Sequence, residues 1–307
     1  MNKIFVDGSA GTTGLKIIDR LVNRKDIELI SLPDELRKDV SVRKDAINSA
    51  DIVFLCLPDD AARESVSLVE NDKVKIIDTS TAHRTNCEWA YGFAELKGKR
   101  EKIANSKRIA NPGCHASGFI SLIAPLIDAG VMKKEETLTC FSLTGYTGGG
   151  KKMIAEYESD KKPFLYNAPR QYGLTQTHKH LPEMSVVCGL DKLPIFCPIV
   201  APFSQGMEVT VPLFRNQITC GIEELKEIYK SVYTGKLVHY NDADSESGFL
   251  SACAYAERDD MGISVYGNQD RILLVSRFDN LGKGASGAAI QNMNILLGVE
   301  ETTGLNY

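Results

Sequence analysis

The sequence has 307 residues, of which 43% are hydrophobic and 25% charged, and its 36 basic and 40 acidic residues give a net charge of −4. This composition is typical of a globular protein of about two domains. It excludes a basic nucleic-acid-binding surface and a membrane span, because the sequence has no basic stripe and no run of ~20 apolar residues. We therefore expect a cytoplasmic protein with no nucleic-acid partner and no membrane partner.

The N-terminus and the cysteines agree with that location. The first apolar strand reaches Asp7 almost at once, whereas a signal peptide needs a longer apolar segment. The eight cysteines include no C-x-x-C pair, so zinc-ribbon and thioredoxin-like sites lack their spacing. Several cysteines lie in apolar runs, as Cys56 does, which favours reduced residues over a disulfide framework.

The first third of the sequence alternates strand and helix signals. The run at 52–57 is continuously apolar, as expected for a strand buried on both faces. Such alternation predicts right-handed βαβ crossovers and a mainly parallel sheet. The predicted strands are 4–6, 27–32, 52–57 and 75–78, and the predicted helices are 15–22 and 61–69.

The pattern changes after Cys114. The later strands alternate more clearly between apolar and polar residues, which predicts a mixed α+β half after the first, parallel half. We expect the final helix to return to the first half. The predicted helices are 117–129, 223–233 and 286–297, and the predicted strands are 138–144, 195–202, 207–214 and 272–278.

A glycine-rich turn follows the first strand and opens the first helix. Glycines allow a tight turn and a close approach to a pyrophosphate, while the helix N-terminus directs N–H groups at the phosphates. The spacing G-x-x-G-x-x-G differs from the commoner G-x-G-x-x-G, and a tight turn that binds nothing is the alternative. The candidate cofactor-binding residues are Gly8, Ser9, Ala10, Gly11, Thr12, Thr13 and Gly14.

The end of the second strand leaves the choice between NAD and NADP open. An acidic residue there would favour NAD by binding the ribose 2′-hydroxyl. The strand ends near Ser31, and Asp34 is followed by Arg37, Lys38 and Arg43, which could receive a 2′-phosphate. A solvated charged loop accounts for the same residues.

Cys114 follows a Pro-Gly turn and starts an apolar helix. A helix N-terminus lowers the pKa of a thiol and so increases the fraction of reactive thiolate. Among the eight cysteines, Cys114 is the one most clearly placed between a turn and a helix start. The segment indicates a nucleophile, and the alternative is a small buried residue at a helix cap.

The acid–base partner of such a thiol would be a histidine, which titrates nearest neutrality. His178 and His180 are alternate residues, so their rings face the same way if the segment is extended. They could also bind a metal, but no second ligand cluster accompanies them, and we expect none. His115 adjoins Cys114, and because sequence neighbours usually point apart, we expect its ring to face away.

Two further segments could bind an anion or a cofactor. Residues 78–84 follow a strand end, where α/β folds bind ligands, so Arg84 could hold a phosphate or carboxylate or could pair with a surface acid. The glycine-rich segment 145–150, which includes Gly148, could cover a cofactor or form a flexible connection.

Taken together, these segments resemble the semialdehyde dehydrogenase family, and within it the compact members of the branch that reduces an acetylglutamyl phosphate. The sequence departs from the family pattern at Gly282, and at His115 and Ala116, where the family more often has an aromatic residue and a proline. The matching segments span nearly the whole sequence and are 8–14, 78–84, 91–92, 111–114, 145–148, 178–183, 279–287 and 289–294.

The resemblance implies an α/β architecture with a Rossmann-type NAD(P)-binding domain and an α+β catalytic and dimerisation domain. The first would comprise residues 1–114 plus 285–307, and the second residues 115–284. It also implies a homo-oligomer, either a dimer or a tetramer, that acts in arginine biosynthesis.

The reaction implied by the resemblance is the reduction of a small-molecule acyl phosphate. NADP(H) would reduce N-acetyl-L-glutamyl 5-phosphate to N-acetyl-L-glutamate 5-semialdehyde and phosphate through a cysteine thioester. His180 would be the acid–base residue, with His178 as the second choice. The implied site residues are Cys114, His180 and His178 for catalysis, Arg84 and Asn111 for the substrate, and Gly148 with the 8–14 turn for the cofactor.

Three other functions compete with this one. An aspartate-semialdehyde dehydrogenase would perform the same chemistry on a shorter substrate, but the 178–183 motif resembles the acetylglutamyl branch. A reductase of an aminoadipate-derived acyl phosphate is a further alternative. A non-catalytic NADP-binding regulator would keep the 8–14 turn and would need no reactive thiol.

Overall fold

The computed structural model describes residues 1–242 and 245–307. Among these residues, no helix is long and apolar enough to cross a membrane. The chain forms two compact units. Unit 1 comprises Met1–Ala94, Gly98–Pro112 and Ala285–Leu305, and unit 2 comprises Glu95–Lys97, Gly113–Gly284 and Asn306–Tyr307.

Unit 1 is built around a parallel sheet with the strand order β2-β1-β3-β4-β6-β5. Its strands are β1 (Asn2–Asp7), β2 (Ile27–Ile30), β3 (Ile52–Leu55), β4 (Lys75–Asp78), β5 (Ala90–Tyr91) and β6 (Arg108–Ala110). Its helices are α1 (Thr12–Leu21), α2 (Val40–Ser49), α3 (Asp59–Ser67), α4 (Lys99–Ala104) and the last helix of the chain, α9 (Gly287–Leu297).

The core of unit 1 has two layers because alternate side chains of each strand point to opposite faces of the sheet. On one face, Ile4 of β1 and Phe54 of β3 pack in a cluster with Met293 of α9. On the other face, Phe5 and Val53 pack in a cluster with residues of α2 and α3. Since β3 is buried along its whole length, its apolar run needs no polar alternation. The predicted α/β class with a mainly parallel sheet is confirmed.

Unit 2 contains a mixed sheet with the strand order β11-β12-β13-β10-β7-β9-β8. Its strands are β7 (Thr139–Gly145), β8 (Arg170–Gln171), β9 (Ile195–Ala201), β10 (Met207–Phe214), β11 (Val238–Tyr240), β12 (Met261–Gly267) and β13 (Arg271–Phe278). Its helices are α5 (Cys114–Asp128), α6 (Gly150–Glu158), α7 (Leu181–Cys188) and α8 (Ile222–Val232).

Helix α5 is the central helix of unit 2 and packs on β10 and β13. A Cβ atom at Gly118 would lie 2.3 Å from Cγ2 of Val209, so this position lets the helix approach the sheet closely. Pro125 removes the N–H that would bond the Ser121 carbonyl, and the Tyr233 hydroxyl donates to that oxygen instead, at 2.6 Å. The helix therefore continues through its proline.

Helix α5 begins earlier than the sequence analysis predicted, at Cys114 rather than at residue 117. The sequence analysis did not predict helices α2, α4, α6 and α7 or strands β5, β6, β8, β11 and β12, because their apolar spacing is weak or the segment is short. Asp39 caps α2, since its carboxylate accepts the N–H groups of Ser41 and Val42. The sequence-based boundary fell after Cys114, whereas contacts group Gly113 and Cys114 with unit 2.

Candidate active site

The glycine turn of unit 1 connects β1 to α1 and leaves no room for side chains at two positions. Gly8 has a φ of +85°, and a Cβ atom there would lie 2.3 Å from the Cys56 carbonyl oxygen. A Cβ atom at Gly14 would lie 2.5 Å from the Gly8 carbonyl oxygen. The turn therefore presents bare backbone at the N-terminus of α1, as a pyrophosphate-binding turn requires.

One polar atom at this turn has no hydrogen-bond partner within the described residues. It is the buried hydroxyl oxygen of Thr12, the first residue of α1. Buried hydroxyl groups are normally satisfied, so this one needs an explanation. A phosphate at the helix N-terminus would supply the missing acceptor, and the residues of the turn therefore fit a dinucleotide.

A cavity of about 460 Å³ adjoins the turn at the end of β2. Arg37 and Lys38 line it, together with Ser31 and Asp34, and Nη2 of Arg37 lies 3.4 Å from Oδ1 of the exposed Asp34. Arg43 also lines it, but its guanidinium donates to both carboxylate oxygens of Asp7 and is itself buried. Of the three basic residues considered for a 2′-phosphate, Arg43 is thus already neutralised by a carboxylate.

Arg43 has two further partners in this buried network. Its Nη2 donates to the Ser65 hydroxyl at 2.6 Å, and its Nη1 donates to Glu64 at 3.0 Å. The Ser65 hydroxyl in turn donates to Asp7 at 2.8 Å. Because β1 ends at Asp7, the network holds the residue that precedes the glycine turn.

The loop after β4 is ordered by a buried carboxylate. Asp78 accepts the Ser80 N–H and hydroxyl, and its Oδ2 lies 2.6 Å from Nδ1 of His83. The His83 ring stacks on Trp89, with 4.0 Å between the ring centroids. The sequence analysis gave His83 no role, because its partners become neighbours only in the folded loop.

Arg84 and Asn111, the two predicted substrate ligands, make hydrogen bonds inside unit 1. Nε of Arg84 donates to the Asn111 carbonyl at 2.9 Å, and Nη2 donates to the Thr79 carbonyl at 2.8 Å. The Asn111 amide donates to the Ala285 carbonyl and accepts from Asn292. Both residues therefore stabilise the loops of unit 1, and their contact with substrate stays a prediction.

Cys114 is the first residue of α5 and is partly exposed. Its thiol therefore lies at the positive end of the helix dipole, which favours the thiolate. Cys140, Cys188 and Cys220 are buried, and burial raises the pKa of each of these thiols. The structure thus leaves Cys114 in the environment that a nucleophile needs.

Gly284 lies close to Cys114, and a side chain at this position would collide with Cys114. A Cβ atom at Gly284 would lie 2.9 Å from Cβ of Cys114 and 3.0 Å from the Asp279 carbonyl oxygen. The Gly284 N–H donates to that carbonyl at 2.9 Å, and the Asp279 carboxylate accepts the N–H groups of Leu281 and Gly282. Hydrogen bonds fix the loop after β13, and the absence of a side chain at Gly284 lets this loop lie against Cys114.

His178 and His180 lie side by side, with 4.9 Å between their ring centroids. The segment is a turn rather than extended, because His180 has helical dihedral angles and is the N-cap of α7. The His180 N–H donates to Nδ1 of His178 at 3.2 Å. Burial, with the charge of Lys179 as a smaller cause, lowers the pKa of His178 to about 4.

His115 belongs to the same cluster, and the expectation that its ring points away from Cys114 stays a prediction. Its ring centroid is 5.6 Å from that of His178 and 5.5 Å from that of His180. Its Nε2 lies 2.7 Å from the Tyr172 hydroxyl. His115 is the second residue of α5, directly after Cys114.

The sequence analysis assigned no role to Glu183, a buried carboxylate that contacts the residue before Cys114. Glu183 is 1% exposed, and its Oε1 accepts the N–H of Gly113 at 2.8 Å. The only sequence signal was its place in the 178–183 motif. No group of three or more His, Cys, Asp or Glu residues in the described ranges could hold a metal ion.

Gly148 lies in a 3₁₀ turn (Tyr146–Gly149) of unit 2. The hydroxyl of Thr147 donates to the Ser204 carbonyl at 2.6 Å and accepts from the Asn280 amide at 3.0 Å. The segment is thus a hydrogen-bonded turn, and the role of Gly148 in binding the cofactor stays a prediction.

Comparisons with known proteins agree with both units. Residues 114–280 match the family described as semialdehyde dehydrogenase, dimerisation domain, and residues 34–106 match semialdehyde dehydrogenase, NAD binding domain. The chain therefore carries a binding domain for a nicotinamide cofactor. Solved structures of aspartate semialdehyde dehydrogenases share the fold at 14% identity (Vibrio cholerae, enzyme II, TM-score 0.72) and 16% identity (Francisella tularensis, TM-score 0.71), each over 97% of this chain and 98% and 100% of theirs.

Curated relatives are far more similar in sequence. The N-acetyl-gamma-glutamyl-phosphate reductase of Sinorhizobium medicae is 46% identical over 96% of this chain and 98% of its own. That of Brucella ovis is 46% identical over 96% of this chain and 99% of its own. The chain thus belongs to the N-acetyl-gamma-glutamyl-phosphate reductases of the semialdehyde dehydrogenase family.

Proposed function

We propose that this protein reduces N-acetyl-L-glutamyl 5-phosphate to N-acetyl-L-glutamate 5-semialdehyde with NADPH and releases phosphate, as a step of arginine biosynthesis. The observation that carries the proposal is the partly exposed thiol of Cys114 at the N-terminus of α5, within a unit that also holds a buried histidine cluster. The names of the relatives supply the substrate.

In the proposed reaction, the Cys114 thiolate attacks the acyl carbon, the new C–S bond forms, and the C–O bond to the phosphate breaks. Reduced nicotinamide supplies a hydride when the cofactor is bound. The thioester carbon accepts it, and the resulting thiohemiacetal collapses to the aldehyde as the C–S bond breaks. Covalent catalysis thereby divides one difficult reduction into two easier steps.

His180 is the proposed acid–base residue, and His178 is the second choice. The depressed pKa of His178 keeps its imidazole neutral near pH 7, so little of the imidazolium that a general acid needs is present there. Its Nδ1 also accepts the backbone N–H of His180, which orients the His178 ring. A positioned general acid–base contributes roughly 10²–10⁴-fold to a rate.

NADP is the proposed form of the cofactor. The 8–14 turn would hold the pyrophosphate, and Arg37 and Lys38 in the adjoining cavity would bind the 2′-phosphate. The residue that follows β2 is Ser31 and not a carboxylate that would favour the 2′-hydroxyl of NAD, and the nearby Asp34, which also lines the cavity, pairs with Arg37 at 3.4 Å. We also assign Gly148 to the cofactor, and Arg84 and Asn111 to the substrate.

We further propose that unit 1 is the dinucleotide-binding domain and that unit 2 carries catalysis and forms a homodimer or tetramer. The face of the unit 2 sheet opposite α5 is apolar and exposed. Cross-strand pairing puts its large side chains on that one face. They are Phe141, Ile195, Phe214 and Leu273, which are 45%, 59%, 66% and 42% exposed.

The test is a steady-state assay in the oxidative direction with N-acetyl-L-glutamate 5-semialdehyde and phosphate. We expect rapid NADP⁺ reduction, slow NAD⁺ reduction and little activity with aspartate semialdehyde. Cys114→Ser should abolish turnover while NADPH still binds, as measured by fluorescence titration. Near-normal turnover by that variant, or a preference for aspartate semialdehyde, would refute the proposal.

A further inference from the structure

Strand β8 ends where it meets a proline of its neighbour β9. The two strands are antiparallel, with Gln171 opposite Ile199, and the Tyr172 N–H still donates to the Pro198 carbonyl at 3.0 Å. Because Pro198 has no N–H, it cannot return the second hydrogen bond of a regular ladder. The chain turns at Gly173, which has a φ of +63°, and β8 supplies no backbone partner to β9 beyond this point.

The side chain of Gln176 takes the place of that backbone partner. Its Nε2 donates to the Phe196 carbonyl at 2.7 Å, and its Oε1 accepts the Phe196 N–H at 2.9 Å. A primary amide carries the same donor and acceptor as a peptide group. The two bonds therefore reproduce the reciprocal pair that joins two residues across an antiparallel ladder. Gln176 thus extends the pairing of β9 with a side chain instead of a strand.

Gln176 has a backbone conformation that is unfavourable for its residue type. Its φ is +57°, in the left-handed region, which glycine adopts readily and where glutamine is uncommon. Its N–H closes a turn onto the Gly173 carbonyl at 3.0 Å. A glycine at this position would suit the turn but would have no amide for Phe196. The amide pair therefore explains a residue that the turn alone does not favour.

Phe196 connects this amide pair to the histidine cluster. Phe196 is buried, and its ring centroid lies 5.1 Å from that of His178 and 5.3 Å from that of His115. His178 follows Gln176 by two residues, and its Nδ1 accepts the backbone N–H of His180. Gln176 therefore restrains His178 in two ways, through the chain that leads to it and through the Phe196 ring that packs on it.

We propose that Gln176 is a positioning residue, whose amide pair with Phe196 sets where the His178 ring and the His180 backbone lie. The inference rests on the proposed function only in taking His180, with His178, as the acid–base segment. Gln176 is exposed and lies just outside the 178–183 motif. An exposed amide therefore controls the rate of proton transfer by fixing the segment that carries it out.

The first test measures amide hydrogen exchange by NMR in the wild type and in Gln176→Ala. Alanine keeps the Cβ atom, and therefore the same backbone conformation cost, but removes the amide. We expect the Phe196 N–H to exchange about 10-fold faster in the variant, because the bond that protects it is lost. The N–H groups of β10 should exchange as in the wild type. Equal exchange of the Phe196 N–H in the two proteins would overturn the proposal.

The second test measures steady-state turnover. We expect Gln176→Ala to lower kcat by about 10-fold or more at an unchanged KM for NADPH, because a small misplacement of a catalytic group is costly. Gln171→Ala is the matched control, since Gln171 is also exposed and its side chain makes no hydrogen bond to any described residue. A wild-type kcat in Gln176→Ala, or an equal loss in Gln171→Ala, would overturn the proposal.

Gln176→Glu separates hydrogen bonding from side-chain size. The carboxylate keeps an acceptor for the Phe196 N–H but has no proton for the Phe196 carbonyl. Protonation restores that donor, so kcat relative to the wild type should rise as pH falls toward the usual glutamate pKa of about 4.3. A ratio that stays constant with pH would overturn the proposal. Any semialdehyde that the wild type oxidises serves in these assays, so failure with the acetylglutamyl substrate would contradict the proposed function alone.

Discussion

The Gly113 N–H donates to Oε1 of Glu183 across 2.8 Å, and both groups are buried. This bond joins the residue before the nucleophile to the first turn of α7, the helix that His180 caps. One buried carboxylate thereby sets the position of Cys114 relative to the histidine cluster.

The bond predicts an effect of Glu183→Ala on both stability and turnover. Leaving the Gly113 N–H buried without this acceptor costs about 1–3 kcal/mol. We expect that loss in urea unfolding, together with a lower kcat. Glu183→Gln keeps an acceptor oxygen and is the matched control, which should lose much less. Equal values for the two variants would show that the hydrogen bond does not matter.

The two histidines of the motif should differ in their effect on kcat. Substitution of the acid–base residue removes roughly 10²–10⁴-fold, so we expect His180→Asn to lose that much at unchanged NADPH affinity. His178→Asn can keep an acceptor for the His180 N–H and should lose less. A larger loss in His178→Asn would reverse the assignment of the acid–base residue.

Charge at the end of β2 should determine the preference for NADPH. Arg37→Ala combined with Lys38→Ala should raise the KM for NADPH by about 10-fold or more, because a charge-assisted contact is worth about 1.5–3 kcal/mol. The KM for NADH should barely change. Steady-state kinetics with NADPH and with NADH test this prediction. An equal rise in both KM values would contradict a 2′-phosphate site.

Arg43→Met is the contrasting variant for that experiment. It leaves the Asp7 carboxylate buried beside the glycine turn without its cation, and breaking a buried pair in this way costs about 3–5 kcal/mol. We expect a lower melting temperature and weaker binding of both cofactors. A selective loss of NADPH binding would instead give Arg43 the recognition role.

Stability should fall on mild acidification because of the buried histidines. Folding lowers the pKa of His115 to about 3 and of His178 to about 4 from 6.5, so the unfolded state binds more protons below pH 6.5. The free energy of unfolding therefore rises with pH in this window. The contribution of these two histidines is lost as pH falls from about 6.5 toward 4.

Urea unfolding at pH 7.0 and pH 5.0 checks this, with His115→Phe as the comparison. His115→Phe lacks one of the two histidine titrations but has the same carboxylates as the wild type. It should therefore lose less stability between pH 7.0 and pH 5.0. Between these pH values the wild type should lose about 1–2 kcal/mol more stability than His115→Phe, because one proton per pH unit is worth 1.36 kcal/mol. An identical decrease in both proteins would refute the role of His115.

The exposed apolar face of the unit 2 sheet should hold subunits together. Phe141→Asp would place a charge at the centre of a buried interface, so we expect monomers in sedimentation velocity where the wild type is oligomeric. Phe164, which is 84% exposed and lies outside this sheet, supplies the control Phe164→Asp. Dissociation by the control but not by Phe141→Asp would place the interface elsewhere.

Local sequence features determined much of the fold. The apolar runs at 4–6, 52–57 and 75–78 became β1, β3 and β4, because strand periodicity and burial are written in consecutive residues. The glycine turn and the Pro-Gly turn before Cys114 were also recognisable, since backbone conformation and helix starts depend on near neighbours.

Only the tertiary structure decided which distant side chains share a site. Ser142, Tyr172 and His115 come from β7, the segment after β8 and the first turn of α5, and no spacing in the sequence links them. The same holds for Arg43, whose charge suggested a phosphate ligand until its burial against Asp7 became visible. Burial and hydrogen-bond partners depend on packing between elements, whereas propensity and turn chemistry act between neighbouring residues.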